Sequence, residues 1–251
     1  MSKARDKWLG NTYSTLNGAE YEVIDYIDSN NVTIRFLDTG TTLKVSTGRI
    51  RSGIIKDRAV KTIFGVACMG VGVYNPVDHL YPYHVWHAML ERCYHRKSPT
   101  PTYEGCTASE EWLNFQNFAP FYFDDLYRQD GWHLDKDLLF SGNKVYSAET
   151  CVFLPLELNV LLAVKKKSNE YNLPQGVMIG ETDWYESRIM LAGKVHYLGT
   201  FYTVADAYAA YRVKKESYVR AQADKWGGLI DPRAVEALRV WSLPDYIGNL
   251  K

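Results

Sequence analysis

No apolar run in this chain approaches the roughly 18 to 20 residues that a membrane-spanning helix requires. The first residues, Met1 to Lys7, carry four charged side chains and none of the apolar stretch of a secretory signal. Cysteine is sparse as well. Cys68, Cys93, Cys106 and Cys151 are far apart and form no CxxC pair, so the sequence offers neither a disulfide framework nor a zinc ribbon. His84, His87, Cys93 and His95 crowd one segment, but without an HExxH arrangement they read as ordinary helix residues. Net charge is also lacking, at zero for 251 residues, which removes the simplest signature of a nucleic-acid binder. The expectation is a cytoplasmic protein with reduced thiols and no membrane partner.

What is present is unevenly spread. Residues 1–70 hold ten Lys/Arg against seven Asp/Glu, and 165–225 hold the same ten against seven. Residues 71–164 hold six against twelve, so two mildly basic ends flank an acidic middle. Such a pattern suits a ligand contact at the ends and a separate role for the centre.

The N-terminal part reads as all-β. Tyr21–Ile27 and Asn31–Leu37 are β-branched and aromatic runs separated by Asp28-Ser29-Asn30, and a turn at Asp38-Thr39-Gly40 leads to Thr42–Ser46. Short strands at this spacing predict a small SH3-like barrel over 1–66. Thr33, Arg35, Lys44, Arg49, Arg51, Lys56 and Arg58 would then supply a basic face, or simply a solvated one.

The hydrophobic period changes in the middle, 67–167. Trp86, Leu90 and Cys93 fall on one side of a helix over 84–95. Ser109 is placed to cap a second helix with Trp112, Phe115 and Phe118 as its apolar stripe, which Pro120 kinks or ends. Leu134–Leu139 then reads as a strand, Ser141–Lys144 as a polar loop, Cys151–Leu154 as a strand, and Pro155 opens a helix through Asn159. Lys165–Asn169 is the expected linker. In 168–251, strands are expected at Gly176–Ile179, Trp184–Leu191 and Val195–Phe201, with a tight turn at Ala192-Gly193. Thr203 caps a long helix, with Asp206 at the reciprocal position of a capping box, and Asp231-Pro232 starts a last short helix. The fold class is therefore α+β.

Two resemblances follow from these segments. Gly176-Val177, Arg188-Ile189, Leu198-Gly199-Thr200-Phe201 and the Ala207, Ala209, Ala210, Tyr211 helix resemble the AP2/integrase DNA-binding module across 174–223. The resemblance implies a three-stranded sheet on a helix, with the open face of the sheet on double-stranded DNA. It implies DNA contacts by Trp184, Arg188, Lys194 and Tyr197, and the basic face of the N-terminal part would add Arg35, Lys44, Arg49 and Arg51. Alternation turns Ser187, Ile189 and Leu191 toward the helix and Trp184, Glu186, Arg188 and Met190 away from it. Gln175, Met178, Met190 and Val195 stand where plant members of that family carry arginine, and Glu186 on the same face repels phosphate.

The strand–loop–strand–helix order of 133–164 resembles the ββα fold of HNH nucleases. On that resemblance Asp135 takes the acidic position, Asn143 the water-orienting one and Asn159 the helical ligand position. Lys136 replaces the general-base histidine. A lysine side chain, with an ordinary pKa near ~10.4, is protonated at neutral pH and cannot accept a proton from water. Its neighbours Asp135 and Asp137 hold that proton more firmly still. Asp135, Asp137 and Asn159 could instead share a Mg²⁺, or the acidic cluster could be a structural ion-pair network.

The stretch from Trp86 to Tyr94, through Leu134-Asp135-Lys136-Asp137 and Gly142-Asn143-Lys144 to Cys151–Pro155, is similar to phage-encoded proteins of HNH/AP2, homing-endonuclease type. Three readings stay open on these grounds. The first is a phage-type DNA-binding protein with a degenerate nuclease core, working in the cytoplasm of an infected host cell. The second is an active metal-dependent endonuclease or nickase. The third is an effector that binds a host protein.

Overall fold

The computed structural model describes residues 3–95, 103–163, 173–181 and 183–245. The helices run α1 Lys3–Trp8, α2 Thr47–Ser52, α3 Leu80–Tyr94, α4 Phe115–Asp124, α5 Leu156–Leu162, α6 Val204–Trp226 and α7 Pro232–Val240. The strands are β1 Thr12–Ser14, β2 Glu20–Asp28, β3 Asn31–Phe36, β4 Thr42–Val45, β5 Thr107–Ala108, β6 His133–Asp135, β7 Val145–Tyr146, β8 Val152–Leu154, β9 Val177–Ile179, β10 Tyr185–Leu191 and β11 Lys194–Phe201. The fold is mixed α+β. Two compact units divide it: Met1–Asp124 with Lys144–Ser147, and Asp125–Asn143 with Ala148–Lys251.

In the first unit, β1 to β4 form an antiparallel meander. Alternation puts Tyr21, Val23, Val32, Ile34, Phe36 and Val45 into one core. Among the described residues β1 and β4 are edges that do not pair, so the sheet is open where a small barrel was expected. Both edge strands are short. The apolar face is covered instead by Trp8 at the end of α1, Ile50 of α2 and Ile55 beyond it. A second aromatic layer lies on α3 and α4, where Trp86 packs 5.3 Å from Phe115 and donates its indole N–H to the Trp112 carbonyl at 2.6 Å. The Ser109 hydroxyl accepts from the Trp112 N–H, but it caps a single 3₁₀ turn, and α4 begins only at Phe115. Pro120 sits inside α4 without ending it, because buried Phe118, Ala119 and Tyr122 hold both sides of the missing hydrogen bond.

The second unit has two cores. One gathers Leu138, Val152, Leu154 and Leu158 from the ββα segment with Val219 and Ala223 of α6 and Ala234, Val235 and Leu238 of α7. The C-terminal helices thus complete the core that this short segment cannot build alone. The expected linker, Lys165–Asn169, lies outside the described residues. The other core lies between the β9–β10–β11 sheet and the first half of α6, and holds Val177, Ile189, Leu191, Ala207 and Tyr211. Ala192 and Gly193 turn between β10 and β11 with φ of 48° and 76°, the twist that a two-residue hairpin needs. Gly176, at φ 84°, passes so close to the Tyr211 ring that a Cβ there would stand 2.0 Å from it. The Thr203 hydroxyl accepts the Asp206 N–H at 3.1 Å, which starts α6 at the expected cap.

Candidate functional site

Strand pairing between β6 and β8 covers only three residues, His133 to Asp135 against Leu154 to Val152. After Asp135 the chain leaves the sheet and closes a loop on itself. One Asp135 oxygen, Oδ1, accepts the N–H groups of Asp137 and Leu138 at 3.0 and 2.8 Å, a turn made by side chain to backbone. Burial is the main cause that pushes this carboxyl above the usual carboxylate range; the nearby Asp137 adds to it, and the two backbone donors and Lys136 oppose it.

Lys136 is the reverse of a free catalytic amine. Its side chain is only 4% exposed, and Nζ donates to Asp137 Oδ1 at 2.5 Å and to the Asn143 carbonyl at 2.9 Å. The Asn143 side-chain amide donates back to the Lys136 carbonyl at 2.9 Å. Lys136 and Asn143 therefore bolt the two ends of the loop together. Asp137 holds its carboxylate at the surface end of that ion pair, while Asp135 faces inward. Asn159 is half-buried in α5, its N–H donating to the Pro155 carbonyl at 3.1 Å. Among the described residues no three His, Cys, Asp or Glu side chains converge as a metal-ligating group. Arg233, which the sequence did not single out, anchors this segment from α7. It donates to the carbonyls of Ala148, Glu149 and Cys151 and pairs with Asp231 at 2.7 Å.

The β9–β10–β11 sheet is built differently. Ser187, Ile189 and Leu191 are buried against α6, and Arg188 and Met190 are exposed, as alternation requires. Register then sets the side chains of the outer face in rows. Glu186 lies between Met178 and Thr200, Arg188 beside Tyr197, and Met190 beside Val195. Beyond the last pair, Tyr185 with Phe201, the Trp184 and Tyr202 rings meet at 4.1 Å between centroids. The Arg188 guanidinium lies 6.0 Å from the centre of the Tyr197 ring and 2.5 Å from a Glu186 oxygen. Lys194 is exposed at the hairpin end. Tyr202, 76% exposed, escaped the sequence reading because it follows the strand; extending the alternation two residues past Thr200 would have found it.

Of the four N-terminal cations, Arg35 and Lys44 stand on the outer face of the β1–β4 sheet. Arg35 is cross-strand from Glu22 and bonded to it at 3.0 Å, and Lys44 lies opposite Thr33, itself opposite Asp25. Acidic neighbours thus dilute that face. Arg49 and Arg51 belong to α2, Arg49 donating to the Ile54 carbonyl at 3.3 Å and Arg51 lying over the Trp8 ring.

Comparison of the chain with family models, curated proteins and solved structures gives no match.

Proposed function

We propose that this chain is a DNA-binding protein of phage, HNH/AP2 type, in which the sheet β9–β10–β11 carries the ligand and the ββα segment has become scaffold. The observation that carries the reading is the outer face of that sheet. α6 covers one side, and the other leaves Arg188, Tyr197 and Tyr202 exposed, with Trp184 half-buried against the Tyr202 ring. An AP2-like module places such a face on DNA. The SH3-like reading of the N-terminal sheet and the HNH-like reading of 133–164 belong to the same proposal.

Within it, the Lys136 ion pair and the inward Asp135 carboxylate support a degenerate nuclease core. A nickase would need Asp135, Asp137 and Asn159 open to one Mg²⁺, and Asp135 Oδ1 is already occupied by two backbone donors. A shift of labelled DNA at low salt, without nicking under Mg²⁺ or Mn²⁺, is the expected result. No shift at low salt overturns the binding claim, and metal-dependent nicking abolished by Asp135→Ala overturns the scaffold claim. The exposed Met178, Met190 and Val195 on the same face favour a second reading, a host-protein partner. A host protein retained by the wild type and lost in Met190→Glu, with no DNA bound, would select it.

A further inference from the structure

The rows on the outer face bear on which form of DNA it takes, and the inference that follows rests on the DNA-binding reading above. A protein that enters a duplex groove meets phosphates first, so duplex affinity rises with the number of cations presented. This face offers few. Arg188 is bound to Glu186 at 2.5 Å, and the neighbouring rows hold Met178, Thr200, Met190 and Val195. Aromatic surface is what it has in quantity. Tyr202 and Tyr197 are 76% and 57% exposed, and the Trp184 ring backs Tyr202 from one side.

Bases expose their flat faces only when unpaired. Stacking of a base on an aromatic side chain is worth about five- to a hundredfold in affinity and is indifferent to sequence. A ring held rigid by a second ring loses less freedom on binding than one that swings freely. Tyr202 is so held by Trp184. Tyr197 is held by its hydroxyl contact with Thr200 and by Arg188 beside it. Past Tyr202 the surface dips into an open groove of about 660 Å³ between the end of β11 and α6, with Val213 on its wall and one charge of each sign, Lys214 and Asp206, in its lining. That volume is of the size that small organic ligands occupy, roughly 300–1,000 Å³. Lys214 then supplies the groove with a cation for the phosphate of a single strand, with the Glu186-paired Arg188 on the sheet.

We infer that the outer face of β9–β10–β11 binds single-stranded DNA in preference to duplex, stacking unpaired bases on Tyr202 and Tyr197 and running the strand toward the Lys214 groove. The test is fluorescence anisotropy of the full chain with labelled oligothymidylate, with the same strand annealed to its complement, and with oligouridylate. The expected order is single-stranded DNA about tenfold or more tighter than duplex. Tyr202→Ala and Tyr197→Ala should each weaken single-strand binding by about fivefold or more, while Tyr202→Phe, which keeps the ring, retains it. Both tyrosines are on the surface, and circular dichroism checks that the variants fold. Duplex bound as tightly as single strand overturns the inference and leaves the DNA-binding reading standing. Tighter oligouridylate, or unchanged affinity in Tyr202→Ala, also overturns it. Binding to none of the three overturns both.

Discussion

In the loop from Asp135 to Asn143, every charged or amide group singled out by sequence turns toward the chain itself. Lys136 bonds Asp137 and the Asn143 carbonyl, Asn143 bonds the Lys136 carbonyl, and Asp135 bonds two N–H groups. On the outer face of the β9–β10–β11 sheet, Arg188 pairs with Glu186 and lies beside Tyr197, and Trp184 and Tyr202 stack at the margin. Polar residues used up inside a loop hold a shape; residues left on a sheet surface remain available to a ligand. The difference comes from burial, not residue type. A buried ammonium must be paired and hydrogen-bonded or it costs several kcal/mol, so the loop wraps around its lysine.

That contrast can be broken by substitution. The largest expected loss comes from beneath the sheet, at Gly176, where alanine would adopt an unfavourable φ and collide with Tyr211. Gly176→Ala should lower stability by about 3 kcal/mol, read by urea denaturation. Lys136→Ala removes the bolt of the loop and leaves the Asn143 carbonyl one donor poorer. A loss of about 2 kcal/mol is expected, with Lys136→Met, which keeps the apolar stem, losing less. Equal DNA affinity in wild type and Lys136→Ala would complete the case for scaffold, and a large drop in affinity would end it.

Arg188→Ala should do the opposite. Stability should stay within about 0.5 kcal/mol of wild type while DNA affinity falls about tenfold, measured by anisotropy. Asp135→Asn probes the loop through pH. Burial raises the folded-state pKa of this carboxyl, so the folded chain holds the proton more tightly than the unfolded one. Its contribution favours the fold below the unfolded carboxylate range and is lost as pH rises through the folded value. The asparagine keeps the Oδ1 acceptor, so it should equal or exceed wild type in stability at neutral pH. That advantage should shrink on acidification, as urea titrations across pH will show. The smallest effect is expected on the N-terminal sheet: Arg35→Ala, which breaks a half-exposed pair with Glu22, should change stability by less than about 0.5 kcal/mol.

Much of the local structure was legible. The three C-terminal strands, the Ala192-Gly193 turn, the Thr203 cap and the Asp231-Pro232 start all follow from period and turn chemistry. The inward set of Ser187, Ile189 and Leu191 follows from alternation alone. The open N-terminal sheet was not legible, because whether β1 meets β4 depends on Trp8, Ile50 and Ile55, which cover the face from outside the strands. Leu134–Leu139 reads as one strand, yet pairing stops at Asp135, where two side-chain hydrogen bonds outcompete the ladder.

The candidate site divides in the same way. Sequence alone determined that Arg188 and Met190 would face away from α6, since a period of two leaves a strand no other choice once Ile189 and Leu191 are buried. It also set Lys136 between two acidic neighbours, Asp135 and Asp137. Only tertiary structure decided that Lys136 is buried and bonded to Asn143, seven residues away, that Arg233 of α7 grips the Ala148–Cys151 carbonyls, and that Tyr202 stacks on Trp184 at the sheet margin. Those contacts join residues far apart in the chain. Their energies depend on which surfaces lose water together, and no local spacing encodes that.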